Sequence, residues 1–177
     1  MSCNRYECQE CMSYEANVRR VCEEALLFFR QRERPKLGES LVIFDIDGTA
    51  LDERHSLKKK GMMPRHHPVY GLYEEVIKLG YVVIFLTGRL ENYESHTSNN
   101  LHAEGYGFPD VIYCPVGVNR TPVDVGFWKD KVRGVLKEHY VLVACIGDQP
   151  MDVYGEHIGE KQFLLPLSPT HQVCTIQ

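Results

Sequence analysis

Apolar residues Val18, Val21, Cys22, Ala25 and Phe29 recur every three or four positions between about Tyr14 and Arg34. That period predicts an amphipathic leading helix over 14–34, which Pro35 and Gly38 bring to a stop. The pattern then changes. Leu41-Val42-Ile43-Phe44 is a short, β-branched apolar run that closes on acids and a glycine, and it reads as a buried strand. Similar runs follow at Tyr81 to Leu86, Val111 to Cys114 and Val141 to Ile146, with a weaker fifth at Phe163 to Leu165. Helical spacing fills the intervals: Val69, Leu72, Tyr73, Val76 and Leu79 before Gly80, a polar stretch from Leu90 to Glu104 before Gly105, and a stripe of Trp128, Val132, Val135 and Leu136.

Strands alternating with helices predict an α/β fold, a Rossmann-like three-layer sandwich with a mainly parallel sheet whose strands are apolar on both faces because helices cover both. Ligands bind such sheets beyond the carboxyl ends of the strands, so the residues just after each apolar run carry the interest. After the first run come Asp45, Asp47, Gly48 and Thr49; after the second, Thr87, Gly88 and Arg89; after the fourth, Gly147 and Asp148, with Asp152 in the next turn.

Composition narrows the setting. The chain has 177 residues, 44% apolar and 25% charged, which is one globular domain's worth, with 1–13 expected as a flexible N-terminal segment and 41–165 as the core of the fold. A net charge of −4 disfavours a nucleic-acid binder working by bulk charge. No run approaches the ~18 apolar residues of a membrane span, and the acid-bearing N-terminus lacks the apolar core of a secretory signal, so no membrane role and a cytoplasmic location are expected. Seven cysteines, an odd number without an export signal, point to free thiols. Cys3, Cys8, Cys11 and Cys22 are too irregularly spaced to read as a zinc site, and the terminus that bears them is expected to fray.

Asp45, Asp47 and Asp148 would bring three carboxylates together, an arrangement that is repulsive unless a cation binds or a proton is shared. All-oxygen ligands favour Mg²⁺, which commonly bridges carboxylates and a substrate phosphate. Gly48 permits a sharp turn that exposes backbone N–H groups, and the Thr87 hydroxyl with the Gly88 N–H can donate to an anion. Pro150 suits the first turn of a helix after Asp148, and the i,i+4 spacing returns Asp152 to its side.

These residues resemble the motifs of the haloacid dehalogenase (HAD) superfamily of phosphohydrolases. FDIDGTALD is similar to the first motif, FLTGR to the second, a lysine in FWKDKVR to the third and CIGDQPMD to the fourth, in order and each tied to a strand from Leu41 to Leu165. The leading helix, the GDQxxD form and the QFLLPLSP tail resemble the acid phosphatase and vegetative storage protein branch, subfamily IIIB. The resemblance implies a HAD-like fold and a Mg²⁺-dependent phosphomonoesterase. In it Asp45 attacks phosphorus to form an aspartyl-phosphate, and Asp47 protonates the leaving oxygen and then deprotonates the hydrolytic water. Mg²⁺ would take Asp45, the Asp47 main-chain oxygen and Asp148, with Asp152 assisting. The alternative is a catalytically idle relative with a storage or interaction role. Idle relatives are expected to lose the nucleophile, which this chain keeps.

The third-motif lysine is Lys129 or Lys131. A crossover helix runs antiparallel to the strands, so its N-terminal end lies nearest their carboxyl ends, and Lys129 is nearer by ~3 Å at a rise of ~1.5 Å per residue. The family spacing also selects Lys129 as the residue that neutralises phosphate. Arg89 reads as a rim salt bridge or a carbonyl cap. About twenty residues separate Thr49 from the helix near Val69, too few for an independent cap, so the cap is minimal or absent and the site open. An open site accepts a phosphorylated substrate of any size, a polynucleotide end included. The interval carries Arg54, Lys58, Lys59, Lys60 and Arg65 with His66 and His67, which reads either as a guide for a polyanionic substrate or as a solvated loop.

Overall fold

The computed structural model describes residues 9–33, 37–55 and 62–169. Five strands, β1 (Ser40–Phe44), β2 (Val82–Leu90), β3 (Asp110–Cys114), β4 (Val141–Gly147) and β5 (Lys161–Leu164), form one sheet in the order β3-β2-β1-β4-β5. Every pairing is parallel. The helices are α1 (Gln9–Gln31), α2 (His67–Lys78), α3 (Glu94–Ala103), α4 (Pro122–Lys137) and the single turn α5 (Pro150–Val153).

Alternating side chains of β1 divide the core, as a period of two requires. Val42 and Phe44 join the larger cluster with α1, α2 and Leu101 of α3, while Leu41 and Ile43 face Trp128, Val132 and Leu136 of α4 and Val153 of α5. The sheet is thus covered on both faces, and the α/β sandwich with a parallel sheet is the fold. No helix among the described residues is long and apolar enough to cross a membrane.

Several boundaries differ from expectation, each for a local reason. Helix α1 starts at Gln9 rather than Tyr14 and ends at Gln31 rather than Arg34. Cys11 behaves as a small apolar residue and extends the buried stripe Cys11, Tyr14, Val18, Val21, Cys22, Ala25 and Phe29 by one turn, so residues 9–13 are helix rather than a loose segment. Cys3 and Cys8 lie outside the described residues, whereas Cys11 and Cys22 are buried. Strand β2 starts at Val82 and runs on through Thr87, Gly88 and Arg89 to Leu90, so the second motif lies within a strand. Its extra length is an overhang past β1, with a register shift against β3 between Thr87 and Leu90. The helix expected from Leu90 begins only at Glu94, after a 3₁₀ turn at Glu91–Tyr93. Val135 is 57% exposed and drops out of the α4 stripe.

A basic residue that the apolar pattern could not flag ties α4 to α5. The fully buried Arg133 donates from Nε to the His157 carbonyl (2.9 Å), from Nη1 to those of Met151 and Asp152 (both 3.1 Å), and from Nη2 to the Tyr154 carbonyl (2.7 Å) and Asp130 (2.9 Å). One guanidinium thereby fixes the whole turn that carries Asp152. Arg133→Met would leave Asp130 and these carbonyls short of donors, and urea unfolding should read a loss of about 3–5 kcal/mol. A loss below about 1 kcal/mol would contradict this reading of Arg133.

Candidate active site

At the carboxyl edge of the sheet the chain leaves β1 with Asp45, whose N–H donates to the Ile146 carbonyl of β4 at 2.9 Å. A turn follows in which Thr49 and Leu51 donate to the Ile46 carbonyl. Gly48 sits there at φ +70°, and a Cβ on it would lie 2.5 Å from Asp148 Oδ2, so both the conformation and the space require glycine. Gly147, ending β4, is equally constrained, because a Cβ there would meet the Asp152 Cβ at 2.2 Å. These two glycines let the first and fourth motifs approach each other.

Lys129, on the sheet-facing side of α4, joins the two loops. Its Nζ lies 2.6 Å from Asp45 Oδ1 and 2.5 Å from Asp152 Oδ1, with the lysine only 2% exposed. Lys131 instead lies over the Phe127 ring. The other Asp152 oxygen accepts the Gln149 N–H at 2.9 Å in a capping box, and Pro150 opens the turn, which orients Asp152 inward. Asp45, Asp148 and Asp152 are all buried, and each offers an oxygen within 4.8 Å of the others.

One ammonium does not balance three carboxylates, and the titration of the cluster reflects that. Burial and the neighbouring Asp152 push the Asp45 carboxyl well above its usual range, against the pull of Lys129. Burial, then Asp152, pushes Asp148 up to about 7, partly opposed by a hydrogen bond from Gln149. Burial alone would lower the Lys129 amine, but its two carboxylate partners outweigh that and hold it above the ordinary lysine value. Asp148 Oδ1 is buried without a hydrogen-bond partner, an acceptor turned toward the same small space. These all-oxygen donors fit a hard divalent cation such as Mg²⁺.

The Asp47 carboxylate is not part of this cluster. It turns to Arg89, whose Nε and Nη2 grip both of its oxygens at 2.9 and 2.7 Å, so a ligand from residue 47 would be its main-chain oxygen. Gly88 lines the pocket with Asp45, Asp47, Lys129 and the fourth-motif acids, while Thr87 is fully buried beneath it, its hydroxyl accepting the Arg89 N–H at 3.1 Å. The cavity holds about 180 Å³, below the ~300 Å³ at which small-molecule pockets usually begin, which is room for a group of phosphoryl size rather than for a whole small-molecule ligand. Between Asp47 and α2 the described residues add only the 3₁₀ turn Glu53–His55 and isolated bridges of Leu51 with Asp47 and Arg65.

The expected basic guide does not hold for Arg54, Arg65 and His66, which are engaged within the fold, whereas His67 at the start of α2 is exposed. Arg54 is buried, pairs with Asp52 and Glu15, and lies over the Tyr14 ring. Arg65 stacks on Tyr70 and donates to the Glu104 carbonyl. His66 is 1% exposed, and burial lowers its pKa. Lys58, Lys59 and Lys60 lie outside the described residues. The described parts of the segment after β1 are thus held to α1 and to the end of α3.

The family model that matches residues 55–171 is that of the HAD superfamily, subfamily IIIB (acid phosphatase). The chain belongs to that family. The matched span starts after Asp45 and Asp47, so those two rest on their motif and their geometry. Acid phosphatase 1 of Solanum lycopersicum is 26% identical over 171 residues, covering 86% of this chain and 67% of its own length. Vegetative storage protein 2 of Arabidopsis thaliana is 28% identical over 174 residues, covering 86% and 64%. The chain thus spans about two thirds of the length of these relatives. Among solved structures, the class C acid phosphatase from Bacillus anthracis superposes with a TM-score of 0.67 at 14% identity, over 92% of this chain and 80% of that one, which supports the fold. Phosphatase activity is the function that the family carries.

A folded-state pKa raised to about 7 makes Asp148 favour the native state at low pH. That contribution is full below the ordinary carboxylate value near 4 and is lost as pH rises through about 7. The melting temperature of the metal-free protein should therefore fall between pH 5 and 8 more steeply than that of Asp148→Asn, followed by circular dichroism. Parallel profiles would contradict the shift.

Proposed function

We propose that this phosphatase hydrolyses phosphomonoesters in two steps through an aspartyl-phosphate on Asp45, with Asp47 as general acid and then general base, and that it requires Mg²⁺. The observation that carries the reading is the buried contact of Lys129 with Asp45, which holds one carboxylate oxygen by an ammonium and leaves the other to attack. Asp45 would displace the leaving oxygen in line, forming the acyl-phosphate bond as the ester P–O bond breaks. Asp47, on the far side of the turn and lining the same pocket, would give its proton to the departing oxygen and take one from the water that then cleaves the acyl-phosphate. Lys129 and the Gly88 N–H would receive the phosphoryl oxygens, and the Thr87 hydroxyl, whose acceptor side the Arg89 N–H occupies, keeps its own proton free to donate.

Asp45, Asp148, Asp152 and the Asp47 main-chain oxygen would hold the Mg²⁺. When bound, the ion would supply positive charge that cancels carboxylate repulsion and draws in the phosphate dianion. The substrate is a phosphorylated molecule whose leaving group lies outside the pocket. The name of the Arabidopsis relative keeps an idle storage role as the second reading. Retention of Asp45, Asp47, Lys129, Asp148 and Asp152 together favours the enzyme.

Hydrolysis of p-nitrophenyl phosphate should need added Mg²⁺ and stop with EDTA. Asp45→Asn should lower kcat by at least about 10⁴-fold, the scale on which losing a covalent nucleophile acts. Asp148→Ala should recover in part at raised Mg²⁺, whereas Asp45→Asn should not. Activity indifferent to EDTA would overturn the metal assignment, and wild-type turnover by Asp45→Asn would overturn the nucleophile.

A further inference from the structure

The bidentate grip on Asp47 has more behind it than a surface ion pair. Arg89 lies on the part of β2 that overhangs β1, beside the register shift that lifts residues 88 and 89 out of regular pairing with β3. Its guanidinium is tethered on its other edge. Nη1 donates to the Thr97 hydroxyl of α3 at 3.1 Å, and Thr97 is fully buried. The Arg89 N–H also donates to Thr87 Oγ1, which ties the same residue to the floor of the phosphate pocket. The fork is therefore fixed in the fold before it meets Asp47, so little rotamer freedom is lost in the contact. Most exposed ion pairs lack such support and contribute little.

We propose that Arg89 is a positioning residue for Asp47, aiming the carboxylate at the leaving oxygen by holding both of its oxygens in a side-on fork braced by Thr97. This rests on the reading of Asp47 as general acid and base. A carboxylate oxygen has two lone pairs; Oδ1 accepts from both Nε (3.2 Å) and Nη2 (2.7 Å), whereas Oδ2 accepts from Nε alone (2.9 Å), so the fork leaves a second lone pair on Oδ2 for the proton that is moved. Free rotation of Asp47 would scatter that proton over directions that miss the substrate, and a misplacement of about 1 Å can cost ~10²-fold in rate. An overhanging strand puts Arg89 at the pocket wall, where it and Asp47 both line the cavity. The arrangement is preorganised, because Thr97 and the strand hold the guanidinium independently of Asp47.

The test compares kcat/KM on two substrates with Mg²⁺ present: p-nitrophenyl phosphate, whose phenolate departs without a proton, and glycerol phosphate, whose alkoxide needs one. Asp47→Asn should lower the alkyl value by about 10²- to 10⁴-fold and the aryl value far less. Arg89→Gln should move the aryl-to-alkyl ratio the same way by about tenfold or more, with KM for the aryl ester little changed. The double variant should match Asp47→Asn within about twofold, because one residue acts through the other. Thr97→Val keeps the guanidinium and removes only its brace, and should give the same shift in smaller measure, which covers the case in which Arg89→Gln folds poorly. An unchanged ratio in both Arg89→Gln and Thr97→Val, a rise in KM alone, or multiplying effects in the double variant would overturn the proposal while Asp47→Asn still behaves as an acid. If Asp47→Asn itself left the ratio unchanged, the general-acid reading would fall, and the role of Arg89 with it.

Discussion

A single ammonium buried between two carboxylates organises the functional edge of this protein. Lys129 reaches from α4 to Asp45 at the end of β1 and to Asp152 at the turn after β4, so one side chain links the elements that the chemistry requires. Burying a charge is tolerable only when it is paired and hydrogen-bonded, and an unpaired one is strongly destabilising. The contact can therefore form only if α4 presents its N-terminal half to the strand ends and if Gly48 and Gly147 let the two loops close on each other. With Asp148 added, the carboxylates outnumber the amine, and the raised pKa values of Asp45 and Asp148 express that imbalance. A divalent cation is complementary to that surplus of negative charge.

The surroundings keep this strained electrostatics in place. Arg133 closes the turn after α5 with carbonyl contacts, so Asp152 is held from its own backbone as well as by Lys129. On the opposite face, Arg54 bridges Asp52 and Glu15, and the His66 main-chain N–H donates to the Ala50 carbonyl, fastening the described parts of the segment after β1 to the helical layer. Asn100 of α3 pairs with both the N–H and the carbonyl of Met63 (2.8 and 2.7 Å). Arginine and asparagine, rather than apolar burial alone, thus fix the loops of a small, open pocket. A pocket of this size leaves discrimination to what lies around the phosphoryl group.

Much of the architecture was legible because it is periodic. Each apolar run marked a strand, and the residues that follow β1 and β4 gather where a parallel sheet places its ligands. Helix direction singled out Lys129 over Lys131 as the one facing the strand ends, and the two side chains do diverge, one into the carboxylates and the other onto Phe127. What escaped the reading is long-range and polar. The reach of β2 through Arg89 depends on an overhang that no apolar residue marks, and the pairing of Arg89 with Asp47 spans 42 positions. Arg54 has one partner nearby in Asp52, but the contacts that draw Arg54 and Arg65 into the fold, to Glu15 on α1 and Glu104 after α3, span 39 residues in each case. Arg133 carried no local signal at all, since an arginine within a charged helix is ordinarily exposed.

The proposed mechanism turns on a carboxylate oxygen of Asp45 taking the phosphoryl group. The direct measurement is acid quenching of the Mg²⁺-loaded enzyme during turnover of p-nitrophenyl phosphate, followed by mass spectrometry of its peptides. The account predicts a phosphoryl group on Asp45, labile to hydroxylamine as an acyl-phosphate is, that accumulates further in Asp47→Asn because the base for its hydrolysis is gone. Turnover that proceeds with no phosphorylated aspartate at any time, or with the phosphoryl group on another residue, would contradict it.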